Sequence, residues 1–171
     1  MRKNLVGIAV AALFLAAPAY AGIDSYVAFM NGANEVPGPG DPDGIGIGTL
    51  VIDNVANTVS WSFLVNSIAL PLTGAHIHTG AAGVGGGVIV SFSGQLSGNG
   101  LFDADLATIT PASAPNFYLN LHNGGFPGGA IRGQLQYVGS VAAIPEPSTY
   151  ALMLAGMGVV GLLARRRRTD A

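Results

Sequence analysis

No cysteine occurs among the 171 residues, so disulfides and thiolate metal sites are excluded and any folded part must be held by packing alone. Bases are nearly absent from the middle of the chain. Between residues 22 and 143 the acids are Asp24, Glu35, Asp41, Asp43, Asp53, Asp103 and Asp105, while Arg132 is the one base, a formal balance of 1 − 7 = −6. Such a surface repels phosphate backbones, which makes nucleic acid and anionic lipid poor partners and favours a cation or a neutral polymer. Catalytic signatures are missing too. There is no Gly-x-Ser-x-Gly elbow, and neither Asp103 nor Asp105 has a spaced nucleophile. Asp41-Pro42-Asp43-Gly44 starts like a calcium loop but lacks the later acids and distal glutamate, so it reads as a turn. The glycine-rich stretches 38–48 and 83–87 do not lie between a strand and a helix, which argues against a phosphate cradle. Nothing favours a carboxylate pair built from Glu35, Asp41 or Asp43. No catalysis is expected.

Long apolar runs are also lacking. Residues 1–21 carry Arg2 and Lys3, an apolar run from Leu5 to Ala17, and then Ala19-Tyr20-Ala21, the charged, greasy and small-residue order of a signal peptide cut by signal peptidase before Gly22. The run is too short for a retained anchor, which needs ~20 residues. Residues 144–171 carry Ile144-Pro145-Glu146-Pro147-Ser148, Tyr150, an apolar run from Ala151 to Ala164, and Arg165, Arg166, Arg167 and Arg168. At ~1.5 Å per residue that run reaches about 21 Å, short of a ~30 Å hydrocarbon core unless Tyr150 and a snorkelling arginine extend it. Four arginines should stay cytoplasmic and leave the body of the protein outside. A Pro-Glu-Pro tripeptide, a short hydrophobic transmembrane helix and a terminal basic cluster resemble the PEP-CTERM sorting signal of Gram-negative bacteria. The resemblance implies processing by an exosortase near Pro145-Glu146-Pro147. Passage through the inner membrane to the cell surface or exopolysaccharide matrix would follow. A simple C-terminal anchor is the alternative.

The remaining segment, 22–143, has the length of one domain. Val59, Trp61, Phe63 and Val65 alternate with polar neighbours, as do Phe117, Leu119 and Leu121 with Tyr118, Asn120 and His122, the period-two pattern of half-buried strands. Further strands are expected at Ser25–Met30, Thr49–Ile52, Ala75–His78, Val88–Phe92 and across Ile131, Leu135 and Tyr137. Residues 38–48 should form a loop, and Asp103 should cap a helical turn reaching Ile109. Trp61, Phe63, Phe92, Phe117 and Tyr137 are the expected large core residues. Six to eight short strands separated by turn signals predict an all-β antiparallel sandwich or barrel.

Four stretches carry a second resemblance: Phe29-Met30-Asn31-Gly32-Ala33-Asn34-Glu35-Val36-Pro37, Gly74-Ala75-His76-Ile77-His78-Thr79-Gly80, Tyr118-Leu119-Asn120-Leu121-His122, and Pro127-Gly128-Gly129-Ala130-Ile131-Arg132-Gly133-Gln134-Leu135. In order and spacing they resemble the CHRD domain over nearly all of residues 26–138. The resemblance implies an immunoglobulin-like β-sandwich and no agreed biochemical activity. Where the family usually has glutamate before Ile-Arg-Gly, this chain has Ala130.

All three histidines fall inside those stretches. His76 and His78, two apart on a strand, project from one face, with Ile77 turned to the core, and His122 also lies on a polar strand face. Three imidazoles suit zinc or copper. Alternatively the rings hydrogen-bond the glycine-rich loops and fix turns such as 79–87. Arg132 should pair with an aspartate or with Glu35. The expected protein is an exported, exosortase-sorted adhesion or matrix module, with surface proteins or extracellular polysaccharide as partners and no cofactor. A zinc- or copper-binding surface protein using His76, His78 and His122 is the alternative. Processing at both ends predicts a mature mass running from Gly22 to about Pro145, checked by mass spectrometry of protein from its native host. An intact arginine tail would refute the sorting reading.

Overall fold

The computed structural model describes residues 22–142 and 147–169. The expected signal peptide, with Ala19 and Ala21, and the Pro145-Glu146 pair lie outside the described residues. Nine strands follow in chain order: β1 (Gly22–Asn31), β2 (Ile45–Asp53), β3 (Thr58–Asn66), β4 (Leu72–Thr79), β5 (Val88–Ser91), β6 (Ser97–Leu101), β7 (Phe117–Asn123), β8 (Ile131–Gln134) and β9 (Gln136–Ala142). All pair antiparallel in one sheet of order β5, β4, β7, β8, β1, β2, β3, β6, with β9 also on β1.

That order forces the sheet to curl. Laid flat, eight strands would hold β5 and β6 about 34 Å apart at ~4.8 Å per step. Yet residues 92–96, the whole connection between them, reach about 21 Å when fully extended. The two halves therefore face each other, and the inner surface closes into one core. Tyr26, Ala28 and Met30 of β1, Leu50 and Ile52 of β2, and Val59 and Phe63 of β3 pack against Ala75, Ile77, Leu119, Leu121 and Ile131 from the other half. Aromatic rings plug the seam where the ends meet. Trp61 lies 4.6 Å from Phe92 between centroids, Phe92 is 5.5 Å from Phe63 and 5.8 Å from Phe102, and Trp61 Nε1 donates to the Gln95 carbonyl.

The expected all-β antiparallel architecture is present, and several local expectations are corrected. Strand β2 begins at Ile45, within the stretch read as a loop, because Gly46 and Gly48 take inward positions. A Cβ on Gly46 would lie 2.8 Å from Ile131 Cδ1 and 3.2 Å from Met30 Cε. Ile45 and Ile47 alternate with them on the outer surface. Strand β6, Ser97-Gly98-Asn99-Gly100-Leu101, carries no hydropathy signal, and it pairs with β3 because a Cβ at Gly98 would strike the Trp61 ring. Tyr137 is 38% exposed and packs edge-on against Tyr26 at the rim instead of entering the core. The short 3-10 turn after β6 spans Leu106–Thr108, with Asp105 preceding it and no side-chain cap, so Asp103 does not cap it.

Helix α1 (Pro147–Thr169) is 23 residues long and takes in Pro147 and Arg165 to Arg168. Among the described residues no helix is long and apolar enough to cross a membrane. This corrects the expected transmembrane helix: the arginines belong to the same helix, leaving only the short apolar run between them and Tyr150.

Leu119 is fully buried where the two halves of the sheet meet. Leu119→Ala is expected to lower unfolding free energy by about 2–5 kcal/mol, read from chemical denaturation.

Candidate metal centre

The register of β4 against β7 sets Gly74 opposite His122, His76 opposite Asn120 and His78 opposite Tyr118. Strand β8 continues the rows with Arg132 beside Asn120 and Gln134 beside Tyr118. Directly opposed residues share a face. The outer face of β4, β7 and β8 is therefore one block of His76, His78, Tyr118, Asn120, His122, Arg132 and Gln134. The period-two reading placed these residues on the face away from the core, as observed, but much of the face is closed to water, with His76 and His122 partly exposed. Arg132 is only 1% exposed, and His78, Tyr118 and Asn120 are buried.

Loops cover it. Arg132 Nη2 donates to the carbonyls of Ala81 (2.9 Å) and Val84 (2.8 Å), Gln134 Nε2 to Gly80 (2.9 Å) and Pro115 (2.8 Å), and the Gly86 amide to the Tyr118 hydroxyl (3.2 Å). On the other side His122 Nδ1 reaches the Pro127 carbonyl at 3.0 Å. Asn123 Oδ1 accepts from the amides of Gly125 and Phe126, so the 124–130 loop is also pinned. The expected direct ion pair of Arg132 is not present among the described residues. Its Nη2 goes to the two carbonyls and, with Nε, to Gln134 Oε1, its Nη1 is buried with no hydrogen-bond partner among the described residues, and its guanidinium lies 3.5 Å from the centre of the Tyr118 ring. Glu35 instead takes a hydrogen bond from Asn120 Nδ2 (3.2 Å) and feels Arg132 through space.

Within this covered face the three histidines gather. Ring centroids lie 4.9 Å apart for His76 and His122, 5.5 Å for His76 and His78, and 6.4 Å for His78 and His122. One ligand nitrogen from each lies within 4.8 Å of the other two. Gly74 leaves the room: a Cβ there would sit 2.9 Å from His76 Cε1 and 3.4 Å from His122 Cδ2. Tautomers follow from the partners. The Gly86 carbonyl, 3.0 Å from His78 Nδ1, and the Pro127 carbonyl can only accept, so both Nδ1 atoms carry hydrogen, and a neutral ring then has its lone pair on Nε2. His76 Nδ1, His78 Nε2 and His122 Nε2 are buried and hydrogen-bond to no described residue. Each ring thus retains one buried nitrogen with no protein partner.

The same burial favours the neutral form of His76 and His78. Burial pushes His76 down to about 4, with repulsion from His122 and then His78 adding to it. His78 is also lowered, chiefly by burial, with the Gly86 carbonyl opposing and His122 and Arg132 reinforcing. The three imidazoles, two of them oriented by a backbone carbonyl, form a donor set that a transition metal fits. The two readings of these histidines left open by the sequence are compatible in this geometry: in His78 and His122 the Nδ1 atom holds a loop carbonyl while Nε2 is left without a protein partner.

The CHRD domain family matches residues 26–135, which hold every residue of this face. The chain belongs to the CHRD family. The PEP-CTERM protein-sorting motif matches residues 143–168. Together they make this an exported, exosortase-processed protein of the bacterial cell surface or exterior. No curated protein and no solved structure matches this CHRD chain. Tyr118, Asn120 and Gln134 are site residues whose role sequence reasoning missed. Their signal is the choice of uncharged polar and aromatic types, with no lysine or glutamate, on a face read as open.

Glu35 supplies a pH test. Burial raises its carboxyl to about 7 against the pull of Arg132 and Asn120, whereas the unfolded chain releases the proton near 4.5, the ordinary value of a glutamate. The folded state binds more protons between those values, so this group's contribution is full below about 4.5 and is lost as pH rises through about 7. Glu35→Gln is expected to remove that fall, gaining on the order of 2 kcal/mol over wild type between pH 4 and pH 8. Denaturant midpoints measured across that range check it.

Proposed function

We propose that the CHRD domain of this surface protein is a transition-metal-binding module, taking zinc or copper through His76, His78 and His122 on the exterior of a Gram-negative bacterium. The observation that carries the reading is the set of three buried ring nitrogens, one per histidine, without protein hydrogen bonds. Leaving such atoms unpaired costs about 1–3 kcal/mol each, and an ion at the centre of the cluster offsets all three at once. The role proposed is binding, because the three unpartnered ring nitrogens form a ligand set. Signal peptidase and exosortase act on residues 1–21 and 144–171, leaving residues 22–143 as the displayed module.

Adhesion to extracellular polysaccharide or surface proteins, the role expected first, draws on a different face. Phe29, Ile45, Ile47 and Leu64 are exposed around a groove of about 410 Å³ on β1, β2 and β3, and exposed apolar patches mark interaction sites. Loss of matrix binding in Leu64→Ser, with metal content unchanged, is the result that would support this second use.

Elemental analysis of the full-length chain after zinc or copper loading and removal of excess ion tests the metal reading. About one ion per chain is expected, and His122→Ala should weaken binding more than about 100-fold, because outer-shell losses alone cost about 10–100-fold. His122→Gln, whose amide still reaches the Pro127 carbonyl, separates loss of a ligand from loss of the loop. Sub-stoichiometric metal in the wild type, or unchanged affinity in both variants, would overturn the proposal.

A further inference from the structure

Resting on the three-histidine reading, the geometry points to a further property: the centre selects monovalent copper over divalent zinc and divalent copper. Three features of the site argue in one direction.

The first is charge. His76, His78 and His122 form the only group of three or more histidine or acidic side chains placed to hold an ion among the described residues, and no carboxylate belongs to it. The ligands contribute no negative charge. The charging cost of a partly buried ion grows with the square of its charge, so a divalent ion meets about four times the penalty of a monovalent one of similar size. Anionic ligands normally offset that penalty in divalent sites.

The second is the surroundings of the ligands. Both oriented rings, His78 and His122, give their Nδ1 hydrogen to backbone carbonyls of Gly86 and Pro127 instead of to carboxylates, which supplies less negative potential to the metal. The nearest fixed charge in the stack is positive. Tyr118 lies flat on His78 at 4.8 Å with 10° between the planes, and Arg132 covers Tyr118 at 3.5 Å. Repulsion between that guanidinium and an ion on His78 doubles when the ion is divalent. Glu35, the acid held by Asn120 one row away, remains partly protonated at neutral pH and supplies only part of a compensating charge.

The third is coordination number. Zinc fills a tetrahedron, and with three protein ligands it needs water or substrate in the fourth position. Here the unpartnered nitrogens His76 Nδ1, His78 Nε2 and His122 Nε2 are each closed to solvent, although the rings of His76 and His122 are partly exposed. A monovalent d10 ion is satisfied by two or three nitrogens and needs no water.

Competition experiments on the full-length chain decide it. The probes are Cu(I), held anaerobically with ascorbate and a chromogenic Cu(I) chelator, and Zn(II) and Cu(II), each held with a chelator of known affinity. Cu(I) is expected to bind one per chain and at least about tenfold more tightly than either divalent ion, with X-ray absorption reporting two or three nitrogens at about 2.0 Å and no oxygen. Zn(II) or Cu(II) binding as tightly as Cu(I), or with an oxygen ligand at the Cu(I) centre, would overturn the selectivity while leaving the metal site standing. Absence of binding by all three ions would overturn the site itself. Arg132→Gln is expected to narrow the Cu(I) preference, and Gln134→Glu, which adds a carboxylate beside Tyr118 without changing the ligands, should narrow it in the same direction. An unchanged preference in both folded variants would remove the electrostatic argument.

Discussion

A single buried guanidinium holds together the outer face of this domain. Arg132 is the only base in a strongly acidic segment, yet it spends its charge on the carbonyls of Ala81 and Val84 and on the Tyr118 ring. Those carbonyls belong to the loop that also places Gly86 over His78. Without the guanidinium the loop would lose two of its hydrogen bonds and Tyr118 its cover, leaving Gln134, Tyr118 and His78 to hold residues 80–87. Charge-assisted hydrogen bonds are among the stronger ones available to a chain without disulfides. One arginine consequently links β8, β7 and the loop after β4 into a second, polar layer outside the apolar core.

The two layers obey different rules. The inner one is a matter of volume: Leu119, Ile131, Met30 and Phe63 fill the space left by Gly46 and Gly48, and the curl of the sheet follows from the short bridge between β5 and β6. The outer one depends on hydrogen-bond direction. Its side chains are tied to backbone carbonyls, so its shape depends on where loops run more than on which residues the loops contain. Both layers share β4 and β7, whose alternate residues serve one and then the other. Ile77 and Leu119 face inward while His76, His78, Tyr118 and Asn120 face outward.

This division explains what could be read from the chain. The alternation of Val59, Trp61 and Phe63, and of Phe117, Leu119 and Leu121, places β3 and β7 correctly, and the His-x-His spacing alone sets His76 and His78 on one face. Bringing His122 to them takes only the antiparallel register, which two neighbouring strands make natural. What could not be read are the glycine-filled strand positions of β2 and β6, where the inward residue has no side chain to signal burial. The covering of the polar face was equally hidden, because the partners of His78 and His122 are the main-chain oxygens of Gly86 and Pro127, an atom type every residue carries. Arg132 shows the same limit: an acid was the natural partner to expect for a lone base, and three carbonyl and amide oxygens took its place.

The pinned loops also bear on time. The Gly80–Gly87 stretch is fastened by hydrogen bonds from Arg132, Gln134 and Tyr118, so the loop that holds Gly86 against His78 moves only as those bonds open, while His76 and His122 are partly exposed. Local openings of this kind are set by their own free energy and not by diffusion. A ligand held through His78 would therefore have a residence time set by the opening of that loop more than by its own affinity.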